Sequence, residues 1–311
     1  MTHEFPQNTS EEAGTRCGFI ALIGAPNAGK STLLNALVGG KVSIVSHKVQ
    51  TTRALVRGIT IEGDAQLIFV DTPGIFRPKR RLDRAMVTSA WGGAGDADAL
   101  CLLIDARKGL DEENEAILAK LPDVHRPKIL ILNKIDLVPR PALLELSQSI
   151  NAKLAFDETF MIAALKGDGV ASLRARLANY AKPGPWLYPE DQMSDAPMRQ
   201  LAAEITREKL FERLHDELPY ASTVETDQWQ VQKDGSVRIE QTIFVERDSQ
   251  RKIVLGHQGQ TIKAIGSRAR IEIGEIAETK VHLFLFVKVR ENWADDPARY
   301  REMGLEFPRG G

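Results

Sequence analysis

The sequence has few cysteines and no long apolar run. It has only two cysteines, Cys17 and Cys101, and both fall at or within apolar runs that we expect to be buried strands. Two such thiols fit a reducing compartment and argue against a disulfide framework or a metal cluster. No apolar run approaches the roughly 18 residues of a membrane span, and residues 1–16 are polar. We therefore expect no membrane span and no signal peptide.

Net charge is equally scarce. The chain has 41 basic and 42 acidic residues, which gives a formal charge of −1. This balance argues against a uniformly basic protein, so any surface that binds nucleic acid must be local. With 311 residues, 43% of them apolar, the chain is long enough for two domains with separate cores.

A glycine-rich segment between an apolar run and a helical pattern carries the first functional motif. Residues 24–31 read GAPNAGKS, a complete GxxxxGKS motif. Its glycines allow successive backbone amides to surround a phosphate chain at a helix N-terminus. In this interpretation Lys30 reaches the β- and γ-phosphates, and the Ser31 hydroxyl binds Mg²⁺. The nucleotide contacts expected here come from Asn27, Ala28, Gly29, Lys30, Ser31 and Thr32.

A second motif selects the base. The apolar run 129–132 leads into Asn133-Lys134-Ile135-Asp136, an NKxD motif. The Asp136 carboxylate can accept hydrogen bonds from guanine N1 and the exocyclic amine, which adenine cannot donate. Sites of this kind reject the wrong ligand by about 10⁴ to 10⁵. We expect Asn133 to brace the phosphate loop and the base, Lys134 to lie along the purine, and the ligand to be GTP or GDP.

The third motif, DTPG, follows the apolar strand 67–70. Asp71 would hold Mg²⁺ through water, and the Gly74 amide would contact the γ-phosphate. Loss of that phosphate would release the loop that follows. A threonine in the polar segment 50–53 should complete the metal site. We favour Thr52 over Thr51, which remains the alternative.

These motifs and their order resemble the translation-factor class of P-loop GTPases. The resemblance implies a Ras-like domain with a mostly parallel sheet and helices on both faces, which the alternation of strand and helix patterns also indicates. The fifth motif of the class, usually Ser-Ala-Leu or Ser-Ala-Lys, is here Ala163-Ala164-Leu165. We expect the Ala164 amide to contact guanine O6. Without the serine hydroxyl, the base pocket should be looser.

Position 75 departs from the class at the usual catalytic glutamine. Ile75 cannot polarise water, so we expect slow intrinsic hydrolysis. The resemblance to the subgroup with this substitution implies that Asn27 binds K⁺ where an arginine finger would sit, and plain slow turnover is the alternative. Several basic residues near the switches are either a finger or a solvated loop: Arg53, Arg77, Lys79, Arg80 and Arg81. The expected catalytic residues are Lys30, Thr52, Gly74 and Asn27.

The domain boundary falls in a segment that disfavours regular structure. Residues 182–191 contain three prolines and a glycine. We expect an N-terminal segment at 1–16, a GTPase domain at 17–181, a linker at 182–196, a second domain at 197–307 and a tail at 308–311. In the second domain, the patterns predict a helix over 198–218 and strands over 221–225, 229–232, 236–246 and 281–289.

A glycine loop between two helices marks the second domain as an RNA module. Residues 256–259 read Gly-His-Gln-Gly, which resembles the GxxG loop of a type II K-homology (KH) domain; this loop clamps about four nucleotides of a single strand. The pair His257-Gln258 replaces a more usual lysine or arginine, so phosphate affinity should be weaker or dependent on pH. Trp229 either stacks on a base or packs in the core. The expected RNA contacts are Arg251, Lys252, Gly256, His257, Gln258, Gly259, Lys263 and Arg268.

The order of these two domains resembles the Era family of bacterial GTPases over roughly residues 17–307. Similar segments include residues 43–46, 207–210, 217–220 and 281–283. The resemblance implies a monomeric, cytoplasmic GTPase that uses Mg²⁺, binds small-subunit ribosomal RNA near its 3′ end and assists assembly of the small-subunit precursor. It leaves open K⁺ as a further ion and peripheral contact with the inner face of the cell membrane.

Other classes of function remain to be weighed. A constitutive RNA-binding protein with a purely structural nucleotide site would bind RNA equally in every nucleotide state. A GTP-regulated factor for another RNA would share all the motifs above. An RNA-modifying enzyme would need a separate catalytic cluster, and none stands out in the sequence. NKID and DTPG together argue against a metabolic kinase.

Overall fold

The structure is a computed structural model that describes residues 14–215, 218–291 and 293–308. Most of the predicted N-terminal segment and of the tail lies outside these residues. Within the described ranges, no helix is both long and apolar enough to cross a bilayer.

The first domain is built on one seven-stranded sheet. Its path is β2-β3-β1-β4-β5-β6, and β7 pairs with β1. All neighbouring pairs are parallel except β2 with β3 and β7 with β1. Strands buried on both faces read as continuous apolar runs, as β4 does. The strands are β1 (Arg16–Ile23), β2 (Val56–Glu62), β3 (Ala65–Asp71), β4 (Ala99–Asp105), β5 (Lys128–Asn133), β6 (Glu158–Ile162) and β7 (Lys182–Pro183).

Helices cover both faces of this sheet. Apolar residues of α1 and α5 form a core on one face, and those of α2, α3 and α4 form a core on the other. The nucleotide motifs follow β1, β3, β5 and β6, so the parallel arrangement brings them to one edge of the sheet. The helices are α1 (Lys30–Val38), α2 (Arg81–Asp96), α3 (Glu112–Lys120), α4 (Arg140–Lys153) and α5 (Val170–Leu177).

The second domain has the type II KH order of elements, which confirms the predicted fold. Its three-stranded sheet has the order β10-β9-β8, antiparallel between β8 and β9 and parallel between β9 and β10. Helices α6, α7 and α8 contribute to its apolar core. The elements are α6 (Met198–Arg213), β8 (Ser222–Val231), β9 (Val237–Val245), α7 (Asp248–Leu255), α8 (Gln260–Ile276), β10 (Val281–Val289) and α9 (Pro297–Glu302).

The structure differs from the sequence-based elements in three places. Helix α6 ends at Arg213 and not at 218, because the buried Leu214 adopts extended backbone angles. The strands expected at 221–225 and 229–232 are one strand, β8, with an irregular register between Thr226 and Gln228. The linker start, expected to lack regular structure, forms β7.

The linker lies along the first domain. The side chain of Gln66 accepts hydrogen bonds from the amides of Leu187 and Tyr188 and donates one to the Tyr188 carbonyl at 2.8 Å. The Ile59 amide donates to the Met193 carbonyl at 2.8 Å. These bonds satisfy backbone groups of a segment whose prolines cannot complete a ladder.

We expect truncation of Leu103, which is fully buried in β4, to lower the free energy of unfolding by about 2 to 5 kcal/mol, because Leu103→Ala leaves a cavity. The control is Leu144→Ala on α4, where the side chain is 59% exposed and the change should stay within about 0.5 kcal/mol. Urea unfolding of both variants checks this. Equal losses would contradict the placement of β4 in the core.

Candidate functional site

The phosphate loop depends on glycine at both of its ends. Gly24 and Gly29 have positive φ angles of 153° and 101°. A Cβ at position 24 would lie 2.4 Å from the Leu103 carbonyl oxygen, and one at 29 would lie 2.2 Å from Nδ2 of Asn133. Helix α1 begins directly afterwards, and no side chain caps its first turn. Its leading amides are therefore available to an anion.

Lys30 is buried beneath this loop. Its Nζ donates to the carbonyls of Gly24 and Ala25, each at 3.1 Å. Burial lowers the pKa of Lys30 to about 8, although the nearby Asp71 carboxylate opposes the shift. A cation held in this way is suited to the charge of a phosphate chain.

Four oxygen-bearing side chains meet at the end of β3. The Ser31 hydroxyl donates to Oδ2 of Asp71 at 2.6 Å and lies 2.9 Å from the Thr52 hydroxyl. Ser43, which the sequence analysis did not place in the site, donates to the same carboxylate oxygen at 3.1 Å. Thr52 reaches it at 3.4 Å, whereas the Thr51 hydroxyl turns to the Lys48 carbonyl. The geometry thus places Thr52, the favoured threonine, beside the predicted metal residues.

This cluster fits Mg²⁺. Its donors are hydroxyl and carboxylate oxygens, which hard cations prefer. Burial raises the pKa of Asp71, and the Oδ1 atom of this side chain has no hydrogen-bond partner in the part of the chain that the structure describes. A buried carboxylate that is only half satisfied suits a bound cation. Ser31 and Thr52 would ligate the ion and Asp71 would hold it; when bound, it neutralises charge on the β- and γ-phosphates.

Asn133 joins three separate segments at the base end of the site. Its Nδ2 donates to the Ala28 carbonyl at 2.9 Å, and its Oδ1 accepts from the amides of Lys134 and Ala164 at 2.8 and 3.0 Å. The Lys134 Nζ donates to the Asn27 carbonyl at 2.6 Å and to Asp105 at 2.7 Å. The predicted bracing of the phosphate loop therefore has a direct geometric basis.

The loop at 163–165 is held in a way that the sequence analysis missed. The Ala164 amide, expected to contact guanine O6, donates instead to Oδ1 of Asn133 at 3.0 Å in this structure. The Ala163 amide donates to the Asp168 carbonyl at 3.0 Å, and Leu165 is 87% exposed. Asn133 and the local turn thus fasten a loop that lacks the usual serine. Asp136 lies nearby and pairs with Lys166 at 3.2 Å.

A cavity of about 410 Å³ connects these groups. Of the predicted nucleotide contacts, Ala28 and Asp71 do not line it; Asp71 is fully buried behind Ser31 and Thr52. Those that do are Asn27, Gly29, Lys30, Ser31, Thr32, Gly74, Asn133, Lys134, Asp136, Ala163, Ala164 and Leu165. Lining residues that sequence reasoning did not identify include His47, Gln50, Asp105, Arg107 and Lys108. The only hint of these residues in the sequence is Asp105, a carboxylate at the end of the apolar strand β4.

The DTPG loop lies against the phosphate loop. A Cβ at Gly74 would be 3.0 to 3.1 Å from atoms of Pro26, so any side chain there would press on the phosphate loop. The next amide, of Ile75, donates to the Gly24 carbonyl at 3.1 Å. The Ile75 side chain is buried in a core cluster and does not serve as a water-polarising group.

Arg53 is neither an arginine finger nor part of a solvated loop, the two roles that its position suggested. It is only 6% exposed, so it is not part of a solvated loop, and its guanidinium donates to the second domain and not into the nucleotide cavity. The acceptors are the carbonyls of Ser222, Pro219 and Tyr220 at 2.9, 3.2 and 3.3 Å. Burial and the nearby cation of Arg207 lower the pKa of Arg53 to about 9. The side chains of Arg77, Lys79 and Arg80 are exposed, as a solvated loop requires.

The remainder of the first switch segment, residues 43–53, also contacts the second domain. Arg207 of α6 donates to the Thr51 carbonyl at 2.6 Å, and Glu208 accepts from the Val45 amide at 2.7 Å. Lys48 donates to carbonyls at the end of α6. Ile44 is buried in the hydrophobic cluster of α6, β9 and α8. The segment that supplies Thr52 is therefore part of the domain interface.

The second switch segment, residues 74–81, reaches the second domain as well. Phe76 packs in a cluster with Met86 of α2, Tyr300 and Leu305. Arg81 pairs with Asp295 at 3.3 Å, and its guanidinium carbon lies 5.1 Å from the centre of the Phe307 ring. Both switch segments thus contact residues of the KH half of the chain.

The glycine loop of residues 256–259 projects between α7 and α8. Gly256, Gln258 and Gly259 have positive φ angles of 72°, 50° and 75°. A Cβ at Gly256 would lie 2.2 Å from Oγ1 of Thr261, so only glycine fits there. His257 and Gln258 are exposed at the tip of the loop. This is the backbone form needed for close approach to a phosphate.

The predicted basic groups around this loop are exposed but partly compensated. Arg251 and Lys252 both pair with Asp248, at 3.3 and 3.4 Å. Arg268 pairs with Glu212 at 3.6 Å. Lys263 is exposed on the first turn of α8. Trp229 packs against the core, which removes it as a stacking residue.

The two sites define a translation-factor-class GTPase joined to a KH domain. Family models agree with this division: "50S ribosome-binding GTPase" matches residues 19–134, and "KH domain" matches residues 217–294. The chain is 70% identical to GTPase Era of Afipia carboxidovorans over 98% of its length and 99% of that protein. It is 68% identical to GTPase Era of Brucella suis over 96% of both chains. The chain belongs to the Era family of GTPases.

Solved structures support the same assignment. An Era variant of Aquifex aeolicus bound to GDP and aluminium fluoride is 38% identical, with a TM-score of 0.88 over 93% of this chain and 99% of that one. Era in complex with MgGDPNP and nucleotides 1506–1542 of 16S ribosomal RNA is also 38% identical, with a TM-score of 0.88 over 94% and 99%. The present protein is accordingly a GTPase.

We expect Asn133→Ala to weaken binding of GDP and of a GTP analogue alike, since it unfastens the phosphate loop and the base loop together. Loss of these buried hydrogen bonds should cost about 2 to 4 kcal/mol, or roughly 30- to 1,000-fold in affinity. Asn151→Ala on α4 is the control, because within the described ranges that side chain bonds to Ser147 and Thr159, away from the nucleotide cavity. Calorimetric titration measures both, and wild-type affinity of Asn133→Ala would contradict the bracing role.

We also expect nucleotide binding to take up a proton at alkaline pH. With the Lys30 pKa near 8, the free protein loses this proton as pH rises, and bound phosphate restores it, so GDP affinity should fall above pH 8. Uptake should be small at pH 7 and should grow as the pH rises through about 8. Calorimetry in buffers of different ionisation enthalpy measures it. Lys30→Arg keeps its charge and should abolish the uptake; persistence there would refute the assignment.

Proposed function

We propose that this protein is a GTP-controlled RNA-binding switch that engages small-subunit ribosomal RNA near its 3′ end and assists maturation of the small ribosomal subunit. The KH domain supplies the RNA clamp. The nucleotide state, acting through the first switch segment, determines how that clamp is presented. The relative crystallised with MgGDPNP and nucleotides 1506–1542 of 16S ribosomal RNA supports the choice of RNA.

One observation carries the coupling. Thr52, which would ligate the metal, lies next to Thr51, whose carbonyl accepts from Arg207 of the KH domain at 2.6 Å. On the other side, the Arg53 guanidinium donates to KH carbonyls. Three consecutive residues therefore link the metal site to the RNA-binding domain. A change that frees Thr52 alters both neighbouring contacts.

The energy available in these contacts is sufficient for a switch. Hydrogen bonds from a charged donor contribute about 1.5 to 3 kcal/mol each, and burial of Ile44 adds about 1.5 to 3 kcal/mol. Allosteric coupling typically requires about 1 to 3 kcal/mol. Even partial loss of the switch contacts with α6 can therefore shift the KH domain between two positions.

Crosslinking to cellular RNA in two nucleotide states tests the proposal. Protein loaded with a non-hydrolysable GTP analogue should enrich the 3′ end of small-subunit ribosomal RNA, and protein loaded with GDP should enrich it less. Enrichment of transfer, messenger or large-subunit ribosomal RNA would overturn the assignment. Equal affinity with analogue, GDP and no nucleotide would instead indicate a constitutive RNA-binding protein.

We expect Arg207→Ala to reduce the nucleotide dependence of RNA binding. The ratio of RNA dissociation constants in GDP and in GTP analogue should fall by about tenfold, because one charged contact to the switch segment is lost. Arg213→Ala, at the exposed end of the same helix, is the matched control and should retain the ratio. Fluorescence anisotropy with labelled RNA measures it. An unchanged ratio in Arg207→Ala would remove this contact from the coupling.

We propose further that K⁺ assists hydrolysis through Asn27. The Asn27 side chain lines the nucleotide cavity, and its Nδ2 donates to the His47 carbonyl at 2.9 Å, which joins the phosphate loop to the first switch segment. Amide and carbonyl oxygens are the ligand type that hard cations prefer. The Arg53 guanidinium is bonded to the second domain and does not act as an arginine finger. A bound K⁺ would supply that positive charge instead.

We expect faster GTP hydrolysis in KCl than in NaCl at equal ionic strength, and loss of that difference in Asn27→Ala. A bound cation near the transferred phosphoryl group stabilises the charge that develops there. Single-turnover rates in both salts measure the effect, with Asn151→Ala on α4 as the control. Identical wild-type rates in KCl and NaCl would leave plain slow turnover as the mechanism.

We place the protein in the cytoplasm as a monomer that joins the precursor of the small subunit. The contacts described above between the switch segments and the KH domain lie within one chain and need no second copy. Light scattering of the purified protein with and without GTP analogue tests the monomer, and a mass of twice 34.4 kDa would contradict it.

A further inference from the structure

Strand β10 carries two phenylalanines on the face of the KH sheet that points away from the helices. Leu283, Leu285 and Val287 pack into the cores beneath α6, α7 and α8. Side chains alternate along a strand, so Phe284 and Phe286 lie on the opposite face, where they are 42% and 48% exposed. Neighbouring exposed rings form a contiguous apolar patch, and such patches mark interaction sites.

Cationic groups flank these rings. Parallel pairing places His282 opposite Arg238, and the Arg238 guanidinium carbon lies 4.5 Å from the centre of the Phe284 ring. Lys288 is exposed on the same side of β10, beyond Phe286. The acid on this part of β9, Glu240, accepts a hydrogen bond from Arg238 at 2.7 Å. Among these side chains, basic groups outnumber acidic ones.

The far part of the same face is already covered. The guanidinium carbon of Arg299 lies 4.9 Å from the centre of the Phe244 ring, and Thr242 donates to Asp227 at 2.6 Å. The exposed part is therefore the strip along β10, the last strand on its side of the described sheet. We call this strip, which comprises Arg238, His282, Phe284, Phe286 and Lys288, the outer aromatic strip.

We propose that the outer aromatic strip is a second single-stranded RNA site, on which bases stack against Phe284 and Phe286 while Arg238, His282 and Lys288 meet phosphates. Exposed aromatic rings on a sheet, with cations beside them, are how several RNA-binding modules hold unpaired bases. The proposal rests on RNA binding by the glycine loop. Helices α7 and α8, which flank the glycine loop, both pack on the inner face of β10, and the outer aromatic strip lies on the outer face of the same strand.

The strip and the glycine loop would then hold successive parts of one RNA strand. A KH loop clamps about four nucleotides, so a longer single strand has bases left over. The charge of the strip favours this occupant, since Arg238 and Lys288 outnumber the one acid beside them, Glu240, and a nucleic acid supplies further anions. Each stacked base contributes about 1 to 3 kcal/mol and requires no particular sequence.

The test compares two lengths of RNA on the full chain with GTP analogue and Mg²⁺. The probes are a tetranucleotide and a single strand of about twelve nucleotides from the 3′ end of small-subunit ribosomal RNA. The variant F284L/F286L keeps apolar bulk but removes the rings. It should bind the long RNA about 10- to 100-fold more weakly and the tetranucleotide as the wild type does. Circular dichroism and the thermal midpoint confirm that it folds.

A second variant separates failure of this proposal from failure of the proposed function. H257D/Q258D places acids at the tip of the glycine loop and should weaken the binding of both RNAs. If F284L/F286L binds the long RNA like the wild type while H257D/Q258D does not, the outer aromatic strip is not an RNA site. If neither variant affects either RNA, RNA binding by the glycine loop fails as well.

The strip could instead be covered by protein, and this outcome is also measurable. If the wild type without RNA sediments as a dimer and F284A/F286A sediments as a monomer, then a second copy occupies the strip and the RNA proposal is overturned. A monomer in both cases, together with the length-dependent loss above, supports RNA as the occupant.

Discussion

One buried carboxylate holds the nucleotide site together. Asp71 ends a strand of the central sheet, and it accepts hydrogen bonds from Ser31 of the phosphate loop and from Ser43 and Thr52 of the first switch segment. A buried charge of this kind is costly unless paired, and hydroxyl donors satisfy it only in part, so its pKa is raised. A bound divalent cation would supply the remaining charge. Asp71 is thus where the central sheet, the phosphate loop and the first switch segment are joined.

The first switch segment has partners on two sides, and it therefore connects the nucleotide site to the KH domain. Toward the sheet it meets Asp71; toward the KH domain it places Ile44 in a core cluster and accepts a hydrogen bond from Arg207. Buried ion pairs reinforce this second side, since Glu208 and Glu272 hold Lys209 and raise its pKa despite burial. Removing one partner of such a pair leaves an uncompensated buried charge. The contact between the two domains is therefore expected to be either fully made or fully broken, with no stable intermediate positions.

A strand can serve two surfaces because its side chains alternate. In β10 the inner residues complete the core beneath the helices that carry the glycine loop, while Phe284 and Phe286 face outward. The KH domain therefore presents both a backbone clamp and an aromatic surface without an added element. Arg238 lies over one ring and keeps that ring beside a positive charge.

The sequence by itself determined the chemistry that lies in contiguous residues. The phosphate loop, NKID, DTPG and the GxxG loop each consist of neighbouring backbone and side-chain groups, so reading them in order sufficed for the GTPase class and the KH fold. Tertiary structure decided what depends on distant partners. Arg53 bonds to a carbonyl 169 residues away, which no local pattern shows, and its role was misjudged. Asn133 fastens a loop 31 residues away, and Leu214 ends α6 early because packing overrode a helical pattern. Local propensities are encoded in adjacent residues, whereas desolvation and long-range hydrogen bonds exist only once the chain has folded.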